Sequence, residues 1–185
     1  MDLFDRSLLE HLAVDDLLNS TIQKFNDDLH KSVLHARPLK SDDYGYLDLL
    51  RQLTKVGSVG KYEFQKKFSR MAACPETYFI LVLEDESTGV VIASATLLVE
   101  QKFIHDCSKR GHIEDVIVDS AYRGKGLGRF LVEALVRIGR HVGCYKITLD
   151  CHDDKVGFYR KSGFQLQNNM MYIRFDGHEQ SKSSV

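Results

Sequence analysis

Seven residues, Arg123-Gly124-Lys125-Gly126-Leu127-Gly128-Arg129, constrain this chain more than any other stretch, because they join an apolar run, Val116-Ile117-Val118, to a strongly periodic helix. Glycine at every second position lets the backbone turn tightly and brings its amides close to a ligand with no Cβ in the way. A helix beginning at about Leu127 would aim its unsatisfied N–H groups and the positive end of its dipole at the same place. Arg123, Lys125 and Arg129 add formal positive charge. Strand, basic glycine loop and helix read together as a pyrophosphate cradle. A charged turn without a ligand is the plainer alternative, but glycine and charge both weaken a turn that need only connect.

Two common cradles fit poorly. A Walker loop needs Gly, four residues, then Gly-Lys-Ser/Thr, and no such string occurs. A Rossmann unit is closer, since Ile147-Thr148-Leu149-Asp150 gives a following strand that ends in an acid, at roughly the ~20 residues that fold requires. However, Gly124, Gly126 and Gly128 follow a GxGxG spacing, and fewer than forty residues follow Asp150, too few for the rest of a doubly wound sheet.

The totals bound the rest. A chain of 185 residues with 43% hydrophobic content is about one domain with a real core. Lys and Arg number 25 against 26 Asp and Glu, a net charge of -1, so no broad nucleic-acid or membrane footprint is implied. No apolar run approaches the ~20 residues of a membrane span, and MDLFDRSLLEHL lacks the basic-then-apolar form of a signal peptide. A cytoplasmic protein is expected; nothing in the sequence bears on association with an organelle. The four cysteines, Cys74, Cys107, Cys144 and Cys151, show neither a CxxC nor a His-rich companion, so reduced thiols and no metal site are expected.

Residues 1–32 carry Leu8, Leu9, Leu12, Leu17, Leu18, Ile22, Phe25 and Leu29 at helix-like intervals, predicting a helical extension before a domain over 33–175 and a Ser/Lys tail over 176–185. Residues 33–39 read as a strand that Pro38 holds to an edge or end. Ser41-Asp42-Asp43 resembles an N-cap cluster, predicting a helix from near Asp42 that stops before Gly57. Further expectations are a helix over 61–73, a strand over 77–84, a turn at 86–89 and a strand from Val90 to about Phe103. The basic stretch 100–112 reads as a linker. The strand 112–119 is interrupted by carboxylates, with Ile113, Asp115 and Ile117 pointing one way and Glu114, Val116 and Val118 the other. A helix from Leu127, a strand over 144–151, a helix over 154–161 capped by Gly163 and a last strand over 170–175 complete a mixed α/β chain.

At this point the blocks resemble a known family. R-G-K-G-L-G at 123–128 matches the Q/R-x-x-G-x-G/A loop of the GCN5-related N-acetyltransferase superfamily. K-F-I-H at 102–105, I-E-D-V at 113–116, C-Y-K-I-T-L-D-C at 144–151 and G-F-Y-R-K-S-G-F at 157–164 narrow the likeness to glucosamine-6-phosphate N-acetyltransferases, over about residues 37–175. The resemblance implies a twisted, mixed, mostly antiparallel sheet flanked by helices, and acetyl transfer from acetyl-CoA to the 2-amino group of D-glucosamine 6-phosphate, feeding UDP-N-acetylglucosamine synthesis. It also implies a homodimer whose sites borrow residues from both subunits. Val116, Ile117 and Val118 would line the acetyl and pantetheine with strand backbone. Arg123, Gly124, Lys125, Gly126, Leu127, Gly128 and Arg129 would hold the pyrophosphate, and Tyr159, Arg160 and Lys161 would lie by the sulfur end and phosphates. Thr54, Lys102, Phe103, Ile104, His105, Glu114, Asp115, Val116, Tyr145 and Lys146 would surround the sugar phosphate, with Arg174 reaching a phosphate across the dimer. One departure stands out. The family's last strand carries an acid before its Met-x-x-Arg end, where this chain has amides, Gln167-Asn168-Asn169.

The chemistry is coherent without the name. An amine must be neutral to attack a thioester, so a nearby acid accepts or relays its proton, and Asp150 and Glu114 are the candidates. The oxyanion wants a preorganised N–H, such as that of Val116. The departing thiolate wants a proton, which Tyr159 can give. No covalent intermediate is needed, so Cys107 and Cys151 read as bystanders, and His105 as a phosphate or sugar contact. Two rivals remain at this stage: transfer to another small amine or a protein amine, which would favour an acidic groove over the basic stretch at 102–110, and a silent acyl-CoA sensor, which would lack the acids and the tyrosine.

Overall fold

The computed structural model describes residues 1–24 and 33–175. Two short helices, α1 (Ser7–His11) and α2 (Val14–Lys24), precede the edge strand β1 (Leu34–Pro38). Helices α3 (Tyr46–Leu50) and α4 (Lys61–Ala72) lead to the long hairpin β2 (Tyr78–Asp85) and β3 (Val90–Gln101). A single turn, α5 (Ile104–Cys107), joins β3 to β4 (Lys109–Val118), and α6 (Leu127–His141), β5 (Cys144–Leu149) and α7 (Val156–Arg160) follow. The strands lie in the order β1-β2-β3-β4-β5. Every pairing is antiparallel except β4 with β5, which is parallel.

Alternation along β2 divides the core. Phe79, Leu81 and Leu83 face α6, and Ile80 and Val82 face α3 and α4. The stripe Leu127, Phe130, Leu131, Ala134, Leu135 and Ile138 is fully enclosed on the first face, as the 3.6-residue period requires. At Gly139 the helix comes so near β5 that a Cβ would meet Ile147 Cδ1 at 2.6 Å. Leu9, Val14 and Leu18 of the first two helices join this same core, and residues 1–3 run beside 39–41 through bonds such as Leu3 N–H to Leu39 O at 2.9 Å. Phe25 and Leu29 lie outside the described residues.

Four expectations change. The helix near Asp42 begins instead at Tyr46. Asp43 is drawn away from a capping role by the buried Arg37, whose guanidinium donates to both its oxygens at 2.7 and 2.9 Å, and by the Lys40 N–H at 2.7 Å. The stretch read as a linker to 112 is already strand from Lys109. Within β4 the expected alternation breaks: Thr96 lies opposite Glu114 but Ser94 opposite Ile117, so Asp115 and Val116 share one partner position. This is a β-bulge, and Asp115 takes φ 52°. Ile113 consequently shares a face with Val116 and Val118, while Ile117 turns into the opposite core. Lastly, residues 170–175 form no strand; Met171 and Phe175 are each 94% exposed.

Candidate active site

The parallel pairing of β4 and β5 ends at Ile113 with Leu149. Beyond it β4 continues to Val118 bonded to β3, so the two strands fork and the outward main-chain groups of residues 114–118 have no strand neighbour among the described residues. Val116 and Val118 border this opening half-buried, and Ile117 can offer only its backbone because its side chain lies in the core behind.

Three candidate residues meet at the fork. His112, absent from the residues read as functional, has its Nε2 3.4 Å from Asp150 Oδ2 and 3.7 Å from Glu114 Oε1. Its Nδ1 is 2.9 Å from Thr148 Oγ1, which also accepts from Arg110 at 2.9 Å. The ring is thus fixed between the two acids. A two-residue spacing put His112 on the face of Glu114; the pairing with Asp150 needed the register of β5. Tyr159 of α7 is half-buried against Phe158 and Phe164. Burial, with a smaller effect of the neighbouring Cys151, pushes its hydroxyl above the usual tyrosine value, so it keeps its proton at neutral pH. Burial, and then Asp153, Asp150 and Asp154, likewise raise the Cys151 thiol, which disfavours a nucleophilic thiolate.

From Val118 the chain passes through a short turn into the glycine loop. Gly124 and Gly126 take φ 79° and 76°, left-handed values that side chains resist, and Gly126 is the residue from which α6 starts. The Leu127 side chain is core, leaving only its main chain to the loop. Arg123 donates to Val118 O at 2.9 Å, Arg129 pairs with Glu133 at 2.6 Å, and Lys125 borders the loop. Left-handed glycines before a fifteen-residue helix, ringed by cations, suit an anionic phosphate ligand.

A second group lies at the far end of β5. His105 stacks on Tyr145 with centroids 4.1 Å apart, and Lys146 Nζ is 5.5 Å from the Tyr145 ring. Lys102 pairs with Glu100. Phe103 and Ile104 are 96% and 61% exposed. His105, Asp106 and Cys107 all have left-handed φ, between 52° and 58°, a strain that non-glycine residues rarely carry. A groove of about 1240 Å³ runs along β5, lined by Tyr145 and Lys146 at one end and Asp150, Tyr159 and Arg160 at the other. Lys161 is exposed just beyond α7, and Arg174 lies in the irregular segment. Five residues at ~3.3 Å each put Tyr145 about 16 Å from Asp150. The expected sugar-phosphate residues therefore form two groups in one chain, not one.

Asp115 lies at the fork on the α3 side, and Thr54 is an exposed residue four past α3, its N–H bonded to Leu50 O at 3.1 Å. Asp115 is reached by solvent, yet the protein atoms around it raise its carboxyl above the ordinary aspartate value. Behind it Tyr46 is pushed up to about 12, chiefly by burial; hydrogen bonds with Ser94 and Thr96 oppose the shift and the charge of Asp115 adds to it.

Comparison with known proteins bears on the fold that carries this site. Residues 46–164 match the model of the acetyltransferase (GNAT) family. The chain belongs to that family. A Drosophila melanogaster relative named as a probable glucosamine 6-phosphate N-acetyltransferase is 43% identical over 148 residues, covering 77% of this chain and 67% of its own. The Arabidopsis thaliana glucosamine 6-phosphate N-acetyltransferase is 41% identical over 132 residues, 71% of this chain and 89% of its own. The crystal structure of that plant enzyme superimposes with a TM-score of 0.75 at 39% identity, covering 78% of this chain and 99% of the other. Acetyltransferases of this family draw their acetyl group from acetyl-CoA, and the forked strand and glycine loop fit a molecule with a pyrophosphate at one end.

Proposed function

We propose that this protein is a glucosamine 6-phosphate N-acetyltransferase, converting D-glucosamine 6-phosphate and acetyl-CoA to N-acetyl-D-glucosamine 6-phosphate and CoA in a ternary complex. The observation that carries this reading is the fork of β4 and β5, where Asp150, His112 and Glu114 meet beside Tyr159 and the strand leads on to the glycine loop. The relatives named above support the choice of amine. Acetyl-CoA supplies a thioester already activated toward attack. Gly124, Gly126 and the first amides of α6 hold its pyrophosphate, with Arg123, Lys125, Arg160 and Lys161 around it. Asp150 or Glu114 takes the proton of the attacking amine, with His112 orienting both. The Val116 N–H faces the developing oxyanion, and Tyr159 donates to the departing thiolate.

The active unit in this reading is a homodimer. In one chain the basic group at Lys102, His105, Tyr145 and Lys146 stands farther from Asp150 than a hexose phosphate extends. One subunit's basic group then serves the other's acids. Leu166, Met170, Met171, Tyr172, Ile173 and Phe175 are 60% or more exposed, and β5 has no outer neighbour among the described residues. That apolar segment and open edge suit a second copy of the chain, which would also bring Arg174 across. The product would feed UDP-N-acetylglucosamine synthesis in the cytoplasm. No helix among the described residues is long and apolar enough to cross a membrane.

Release of free thiol from acetyl-CoA in the presence of amino sugars tests the reaction. With charge-assisted bonds to the phosphate, kcat/KM for glucosamine 6-phosphate should exceed that for glucosamine about a hundredfold. Equal efficiency would defeat phosphate recognition and favour another amine.

A further inference from the structure

Gln52 lies two residues past α3, away from the reacting groups, yet it joins two distant stretches of chain. Its Nε2 donates to Asp119 Oδ2 at 2.7 Å, and its Oε1 accepts the Ser120 N–H at 3.0 Å. A primary amide is the one uncharged side-chain group that can give and take in parallel in this way. Both partners lie where β4 ends and the turn into the glycine loop begins. Asp119 is itself held there: its other oxygen accepts from the Ala121 N–H at 2.9 Å, and its own N–H donates to Ile92 O at 2.8 Å. The next residue, Tyr122, donates its hydroxyl to the buried Asp85 at 2.7 Å. The loop side of the bridge is therefore one hydrogen-bonded piece with the root of the glycine loop.

The other side is not. Residues 51–56 follow a five-residue helix and are mostly exposed, held by end-of-helix bonds such as Gln52 N–H to Leu49 O at 3.0 Å and Thr54 N–H to Leu50 O at 3.1 Å. Thr54, on this segment, belongs to the sugar-phosphate set.

We infer that Gln52 is a positioning residue that couples the two substrate sites: its amide transmits ordering of the glycine loop to the segment bearing Thr54. The inference rests on the cofactor and sugar assignments proposed above. CoA in the loop steadies residues 119 and 120, the bridge steadies 51–56, and the amino-sugar phosphate binds a segment already ordered. By linkage the sugar phosphate tightens CoA by the same factor. The bridge is exposed and competes with water, so that factor is modest, about three- to tenfold.

Hydrogen exchange with CoA added to the full chain tests the coupling, beside CoA affinity measured with and without glucosamine 6-phosphate. In the wild-type protein CoA should slow exchange at both 123–129 and 51–56. Gln52→Ala should keep the first and lose about three- to tenfold of the second, with the sugar's effect on CoA affinity shrinking equally and kcat at saturation staying within about twofold. Gln52→Glu, which keeps an acceptor for Ser120 but turns a carboxylate toward Asp119, should do no better. Equal slowing at 51–56 in wild type and variants would overturn the coupling, as would slowing confined to 123–129 in the wild type. A melting point lowered in both variants with the slowing at 51–56 intact would mark Gln52 as structural only and also overturn it. No slowing at 123–129 would remove the cofactor site and the coupling together, a result seen in the wild type alone.

Discussion

In the proposed reaction Tyr159 and His112 act from different positions. Burial raises the Tyr159 hydroxyl above the usual tyrosine value, which suits the proton-donating role proposed for it. Tyr159→Phe should lower kcat about ten- to a hundredfold with little change in KM for acetyl-CoA, read by steady-state thiol release. His112 holds two carboxylates within 3.4 and 3.7 Å of one nitrogen. His112→Leu should cost on the order of tenfold in kcat/KM, whereas His112→Arg, which keeps N–H donors between the two acids, should retain most of it, read by the same assay. Tyr46 makes a separate statement about stability. Burial favours its neutral phenol, so the folded chain keeps a proton that the unfolded chain has lost above the usual value of 10.0. Its contribution is whole below that pH and disappears as pH climbs to about 12, a loss of order 2 kcal/mol. Urea unfolding of wild type against Tyr46→Phe between pH 9 and 12 should show the steeper fall in the wild type. Two of the three environments do not follow from local sequence: Tyr46 meets Ser94 and Thr96 only through the packing of α3 on the sheet, and His112 meets Asp150 only through the register of β5, whereas Tyr159 lies against the nearby Phe158 and Phe164.

The glycine loop, in contrast, was legible as an element, because left-handed backbone and a following helix both leave marks in adjacent residues. A Cβ at Gly124 would meet nothing within 4 Å, yet its φ of 79° excludes a branched side chain. Gly124→Val should therefore weaken CoA binding about tenfold or more through backbone strain of roughly 1–2 kcal/mol, measurable by calorimetry, while α6 and the fold persist. The long helix, the hairpin and the edge position of the first strand were readable for the same reason: period and turn residues are local. The start of α3 was not, since the Asp43 that looked like a cap answers to Arg37. The strand expected at 170–175 was misplaced for a different reason. Its apolar pattern is real, but a strand exists only where it pairs with an edge, and no strand among the described residues pairs with it.

For the molecule as a whole, the separation of the two substrate groups along β5 makes a direct test of the dimer. Asp150→Asn and Lys146→Ala should each be nearly inactive alone. Mixed and reassociated, they should recover up to about a quarter of wild-type activity, because half of the pairs formed are hybrids and each hybrid carries one intact site. Recovery of none would place both groups at work within one chain. The bulge at Asp115 has a consequence of its own. It shifts the parity of the strand, so that Ile113 before it and Val116 and Val118 after it serve the helix side, and Ile117 the other. A regular strand of the same length would turn Ile117 toward α6 and Val116 and Val118 away from it, whereas loss of residue 115 alone, the extra one, would keep both sides as they are. A codon gained or lost between 116 and 118 is thus graver than nearly any replacement, whereas at 115 the strand carries the one letter whose removal would leave its facing unchanged.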